Sequence, residues 1–183
     1  MSTLFVDAIN EKTSGNGVQI PGHVIQVVST TKTDTQSITG TTFTDVLTAT
    51  ITPKFSNSKI YIKCDLNFTT LSGSNNVLGE RYGGAKLFRD STQIALGDAS
   101  GSRTQVWFSS NTVNGTNNAF TMFQSSGSFL DSPATASAIT YKVKCATSSD
   151  STGIVVINKT GPDADANYSH RGASTLTLME IAQ

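Results

Sequence analysis

The densest run of potential metal ligands in this sequence is DADANYSHRGAS at 163–174. Asp163, Asp165 and Asn167 match positions 1, 3 and 5 of an EF-hand loop, where short oxygen-bearing side chains converge on a calcium ion. The match then fails, because Tyr168 stands where the tight turn needs glycine and Ser174 where a bidentate glutamate should close the shell. Arg171 also places a cation in the same stretch. These three residues are the candidate metal ligands. A polar turn between two strands is the reading that the pattern favours, and occupancy by an ion stays open.

Other chemistry finds less support. The two histidines, His23 and His170, make a Ser-His-Asp arrangement arithmetically possible, but no G-x-S-x-G elbow accompanies them. The stretch GERYGGAK has the glycines of a phosphate loop without its ending: Ala85 separates Gly84 from Lys86, and no Ser or Thr follows the lysine. A glycosidase needs two carboxylates ~5–10 Å apart, and nothing in the sequence singles out such a pair. The chain is therefore not expected to be an enzyme, and no cofactor is expected.

Aromatic residues in loops suit a different task. An aromatic face can stack on a sugar ring while neighbouring amides and carboxylates bond its hydroxyls. Tyr82 in a glycine-rich loop, and Tyr168 beside Asn167, are the candidate receptor-binding residues. Trp107, the single tryptophan, sits in QVWFSS and reads as core or interface. Four Asn-X-Ser/Thr triplets begin at Asn67, Asn114, Asn158 and Asn167. In a chain this rich in Ser and Thr they are expected by chance, and none is read as glycosylated.

Such residues must be carried on a scaffold, and composition says which kind. Thirteen Lys plus Arg balance thirteen Asp plus Glu, and charged residues are 14% of the 183-residue chain, against ~25% in an average domain. Ser and Thr together number 50, with 12 Asn. A neutral, hydroxyl-rich surface argues against a nucleic-acid partner held by phosphate neutralisation and against an anionic membrane surface. Glu occurs three times, and Thr, Val, Ile, Phe and Tyr outweigh good helix formers. The fold class is all-β. No apolar run is long enough for a membrane helix, and MSTLFVDAINEKTSG has neither the basic nor the apolar region of a secretory signal. Cys64 and Cys145 are expected to be buried free thiols, a pairing between their strands being the alternative.

Residues 1–22 form a first segment, with strand-like LFVDAI followed by the breakers Gly15, Gly17, Pro21 and Gly22. From residue 23 onward, eight to ten strands are separated by turn signals, the spacing of a β-sandwich or jelly roll. KIYIKCDLNF at 59–68 alternates most clearly, with Ile60, Ile62, Cys64, Leu66 and Phe68 on one face. AKLFRD and TQIALGD read as a hairpin turning at Asp90-Ser91, AITYKVKCAT alternates again, and IVVI at 154–157 reads as a strand covered on both sides.

The run STLTLMEIAQ at 174–183 sorts onto two faces: Leu176 and Leu178 on one, Thr175, Thr177, Met179 and Ile181 on the other, with Glu180 as the charged exception. A strand with two dry faces needs two covers. One is its own core; a second subunit is the economical second, which makes Thr175, Thr177, Met179 and Ile181 the candidate interface between copies, a trimer interface under the resemblance given next. A monomeric sandwich with this strand in a thick core is the alternative.

STLTLMEIA is similar to the closing strand of trimeric jelly rolls such as the complement globular head and the tumour-necrosis-factor fold. The whole chain from residue 3 resembles small phage virion proteins of the tail-fibre or appendage type, known from marine phages. FVDAINEKTSGNGVQIPGHVIQVV, KLFRDSTQIALGDASGSR, DSPATASAITYKV and YSHRGASTLTLMEI carry that resemblance. It implies an antiparallel jelly-roll head at 23–183, a homotrimer, and an attachment or intertwining role for residues 1–22 toward other virion proteins. A virion appendage that binds a host-surface glycan or protein is the first expectation. A capsid decoration or head-fibre protein without host contact, or a carbohydrate-binding module, are the alternatives.

Overall fold

The computed structural model describes residues 8–10, 15, 17–72, 81–112, 120–147 and 153–183. Strand-like LFVDAI falls at 4–9, mostly outside them. Eleven strands are present: β1 Val24–Lys32, β2 Gln36–Thr39, β3 Thr44–Ile51, β4 Lys59–Ser72, β5 Arg81–Arg89, β6 Thr92–Ile94, β7 Phe108–Thr112, β8 Gln124–Asp131, β9 Ile139–Thr147, β10 Gly153–Ile157 and β11 Ser174–Ile181. All the pairings between them are antiparallel.

Several of these strands are halves of one path. β11 pairs with β4 from Lys59 to Asp65, and β10 pairs with β4 from Phe68 to Ser72. Both lie on the same edge of β4, because Asn67 faces them with its N–H and C=O, which meet Ser174 Oγ and the Asn158 N–H. The Phe68 N–H turns the opposite way, to the Phe123 carbonyl. β10 and β11 thus continue each other, interrupted by an excursion at 158–173. β1 and β2 continue each other in the same way alongside them, and β6 and β7 share the free edge of β5.

Counted as paths, one sheet runs β1/β2, β10/β11, β4, β8, and the other β3, β9, β5, β6/β7. Numbered along the chain, that order is 1-8-3-6 facing 2-7-4-5, the arrangement of an eight-stranded jelly roll. The expected all-β sandwich is present, and the closing strand runs inside its sheet, between β1 and β4.

The core follows from alternation. Ile60, Ile62, Cys64, Leu66 and Phe68 are all fully buried, facing Leu87, Tyr141, Val143 and Cys145 of the other sheet. Each large apolar side chain so buried contributes roughly 1.5–3 kcal/mol. The 90–91 turn is found as expected, with Asp90 at φ 53°. β10 is covered on both faces, as its sequence implied: Val155 and Ile157 enter the main core, and Val156 packs with Leu71 on the outside.

Three details depend on the tertiary structure. The run TGTTFTDVLTATITP is broken at Gly40, whose φ of +79° favours glycine; the chain there passes from β2 in one sheet to β3 in the other. In QVWFSS the strand begins at Phe108; just before it Trp107 N–H donates to the Ala85 carbonyl at 2.8 Å and the Val106 side chain lies against Gly84. Glu180 is no exception at a wet end. It is fully buried in the same inward row as Leu176 and Leu178. Its carboxylate accepts from Gln26 Nε2 (2.6 Å), Lys54 N–H (2.8 and 3.0 Å) and Phe55 N–H (3.2 Å). Those donors replace water, which is what a buried carboxylate requires.

The described part of the first segment is tied to the C-terminal residues. Gly22 N–H donates to the Ala182 carbonyl and Ala182 N–H to the His23 carbonyl, both at 2.9 Å. Gln19 Nε2 reaches the Gln183 carbonyl at 3.1 Å. These bonds carry the β1–β11 ladder past the strand ends.

Candidate functional site

The excursion at 158–173 carries most of the candidate ligands. At its base Asn158 is fully buried with φ +59°, a conformation asparagine tolerates. Asn158 Nδ2 donates to the carbonyls of Lys32 (2.8 Å) and Asp34 (3.1 Å), and Asn158 Oδ1 accepts from Ser174 Oγ (2.6 Å). One side chain thereby fastens both continuing paths across the gap. Further out, Thr160 Oγ1 and Ser169 Oγ lie 2.7 Å apart, and backbone bonds run from Thr160 to His170 and from Ser169 to Ala166.

Asp163 is bound into this frame. Arg171 Nε and Nη2 grip its two carboxylate oxygens at 2.7 and 2.9 Å, and Lys159 Nζ lies 3.8 Å away. Asp165 and Asn167 are exposed beside it. No group of three or more His, Cys, Asp or Glu side chains converges among the described residues. Arg171, visible in the same stretch of sequence, thus supplies a bidentate partner to the carboxylate that would open a calcium loop. Tyr168 is exposed, its ring edge-on to Phe120 with centroids 4.8 Å apart.

Tyr82 lies elsewhere, on the outer face of the second sheet. There a cleft of about 430 Å³ has Gly83, Gly84 and Thr147 along its floor and Phe43, Tyr82 and Arg103 around it. Gly84 is required by close approach: a Cβ there would come within 2.6 Å of the Val106 side chain. The structure therefore separates Tyr82 from the Asn167–Tyr168 pair. Gly83 makes room on the opposite side, where a Cβ would come within 2.6 Å of the Thr70 side chain and 3.2 Å of Val155, so residues that no local motif connects to these glycines set their role.

The candidate trimer residues share one outer face. Thr175, Thr177, Met179 and Ile181 are half-buried in the single chain, pointing away from the core. Strand register adds partners that the sequence did not reveal. Val27 lies opposite Met179, Met179 opposite Tyr61, and Tyr61 opposite Leu130. Val24 lies opposite Ile181. Val24, Val27 and Leu130 are 51%, 55% and 48% exposed, so an apolar row crosses four strands in the open. The next row is hydroxyl-rich, with Ser29 and Thr177 oxygens 3.0 Å apart.

Both cysteines are free and buried, as expected. Desolvation pushes the Cys64 thiol up to about 12, with Asp65 adding to it, and burial raises Cys145 as well. Neither has the electropositive, accessible surroundings of a reactive thiol.

No protein-family model matches the chain, and no curated protein sequence does. Among solved structures, the chain is similar to T=1 particles derived from infectious bursal virus, with TM-score 0.43 and 13% identity over 86% of this chain and 36% of that chain. It is similar also to the Gt strain of infectious bursal disease virus, with TM-score 0.45 and 13% identity over 98% of this chain and 43% of that chain. The chain thus spans less than half the length of these virus chains.

Proposed function

We propose that the chain is a virion structural protein, a tail-fibre or fibre-head appendage whose jelly-roll head trimerises and attaches the particle to a host surface. The observation that carries this reading is the open apolar row Val27, Met179, Tyr61 and Leu130 on the outer face of the sheet that holds the closing strand. An apolar stripe across four strands, with Ser29, Thr177 and Ser128 in the row on one side and Val24 and Ile181 on the other, has the make-up of a surface meant to be covered. The sequence resemblance from residue 3 onward supports the virion setting, and the jelly-roll topology agrees with it. Residues 1–22 hold the head to other virion proteins.

The mechanism is geometric. Three copies present the same loops in fixed relation, so weak contacts to a surface glycan or protein gain ~10²–10⁴ through avidity. Two measurements test this. Light scattering on the purified chain is expected to give three times 19.3 kDa, and labelled protein is expected to decorate host cells. A lone 19.3 kDa species overturns the trimer. Protein that binds particles and never cells replaces attachment with capsid decoration.

A further inference from the structure

The chain is neutral overall, yet its charge is not evenly spread. On the outer face of the second sheet Lys86 stands directly opposite Lys144 on neighbouring strands, a like-charge pairing that costs stability unless something answers it. Asp45 answers Lys144 at 2.8 Å and Lys142 at 3.1 Å. Its carboxyl is held below the usual range, mainly by its hydrogen bond to Lys144. Lys86 has no carboxylate partner among the described residues; its ammonium lies over the Phe43 ring, 4.2 Å from the centroid. Arg103 likewise has none, and its guanidinium reaches Ser100 Oγ at 2.8 Å. Phe43 and Arg103 line the cleft that Tyr82 overlooks. On this face Lys142 and Lys144 thus share the carboxylate of Asp45, while Lys86 and Arg103 are left without one among the described residues.

We propose that this cleft binds an anionic saccharide, with a sugar ring against the half-exposed face of Tyr82 and its carboxylate or sulfate on the Arg103 fork. The cleft of about 430 Å³ leaves room for a ring, the guanidinium fork matches a planar or tetrahedral oxyanion, and Lys86, its ammonium over the Phe43 ring that lines the cleft, adds positive field. Aromatic stacking separates this site from a plain basic patch: it demands a sugar, not only a charge. The inference deepens the attachment reading and rests on it for its biological setting.

The test is titration of the full chain with oligogalacturonate and a heparin hexasaccharide, against maltohexaose and inorganic polyphosphate as controls. The acidic saccharides are expected to bind about tenfold or more tighter than maltohexaose, and to weaken as salt rises. Tyr82→Ala and Arg103→Met are each expected to lower that affinity about fivefold or more, and Arg103→Lys to recover part of it. Thr39→Ala, on the other sheet, is expected to leave it unchanged. Equal binding of maltohexaose overturns the anionic part of the proposal, and equal competition by polyphosphate overturns the saccharide part. Wild-type protein that labels host cells but ignores both acidic saccharides overturns the cleft and leaves attachment standing.

Discussion

Tyr141 of β9 donates its phenolic proton to Asp131 of β8 at 2.7 Å, and so joins the two sheets by one hydrogen bond inside the core. Arg89 of β5 completes the group, with Nη1 3.0 Å from each carboxylate oxygen. A buried carboxylate is tolerated when its oxygens are met in this way. Tyr141→Phe removes one donor and leaves Asp131 under-satisfied, at an expected cost of about 1–3 kcal/mol in urea unfolding. Desolvation and the bond to Asp131 push the Tyr141 phenol well above its ordinary value. Below the unfolded-state value of ~10 both states hold the proton and the contribution is fully present. Above it only the folded chain retains the proton, so stability falls as pH rises. Tyr141→Phe is expected to show a shallower alkaline loss than wild type.

The two core thiols give a second pH dependence with the same sign. Cys64 is raised to about 12 and Cys145 is raised by burial, whereas unfolded thiols ionise near ~8.5. Between about pH 9 and 12 the unfolded chain has released protons that the folded chain keeps, which lowers stability by ~1.4 kcal/mol per pH unit per thiol. Ellman's reagent is expected to find no accessible thiol in the folded protein at pH 8 and both in guanidinium. Cys64→Ala is expected to flatten the alkaline slope. A thiol titrating readily in the native state would show that the core opens where it is closed here.

Asn158 offers a test of the continued strands. Its amide ties Lys32, Asp34 and Ser174 together where β10 gives way to the excursion. Asn158→Ala removes these bonds and leaves a Cβ-bearing residue at positive φ without the local bonding that asparagine uses there. The expected cost is about 2–4 kcal/mol. Hydrogen exchange is expected to rise first at β2 and β10, with β5 and β9 little changed. Uniform loss of protection would mean that the excursion is not a separable insert.

How much of this could be read from the sequence depends on where each cause lies. The alternation of Ile60, Ile62, Cys64, Leu66 and Phe68 is local, and so was legible. So was the sorting of Leu176 and Leu178 from Thr175, Thr177, Met179 and Ile181. The burial of Glu180 was not, because its donors come from residues 26, 54 and 55, which only the fold brings to it. Nor was the continuity of β10 and β11, since a strand resuming after an excursion looks in sequence like two strands and a loop. Of the candidate ligands, Asp163 was compromised by Arg171, already visible in the same stretch. The cleft residues Phe43, Tyr82 and Arg103 carry no shared motif, and only the fold brings them together.

Register likewise turns the closing strand into a prediction about assembly. Met179 lies between Val27 and Tyr61 in an apolar row, while Lys59 and Lys63 stand on the same outward face of β4, one pair to either side of Tyr61. Glutamate at 179 would therefore have lysines as diagonal neighbours in the lone chain, within reach of a favourable cross-strand pairing. Met179→Glu is expected to leave the folded protomer within about 1 kcal/mol of wild type, because the side chain faces away from the core. In an assembly that covers this row, the same change buries a carboxylate against apolar neighbours, which costs several kcal/mol unless it is paired. The expected result is a folded 19.3 kDa species by light scattering, with its thiols still protected. Leu130→Glu, at the far end of the row, is expected to do the same. If wild type is trimeric and both variants remain so, the threefold contact lies on another face; if both variants lose thiol protection, the row supports the protomer itself and not its assembly.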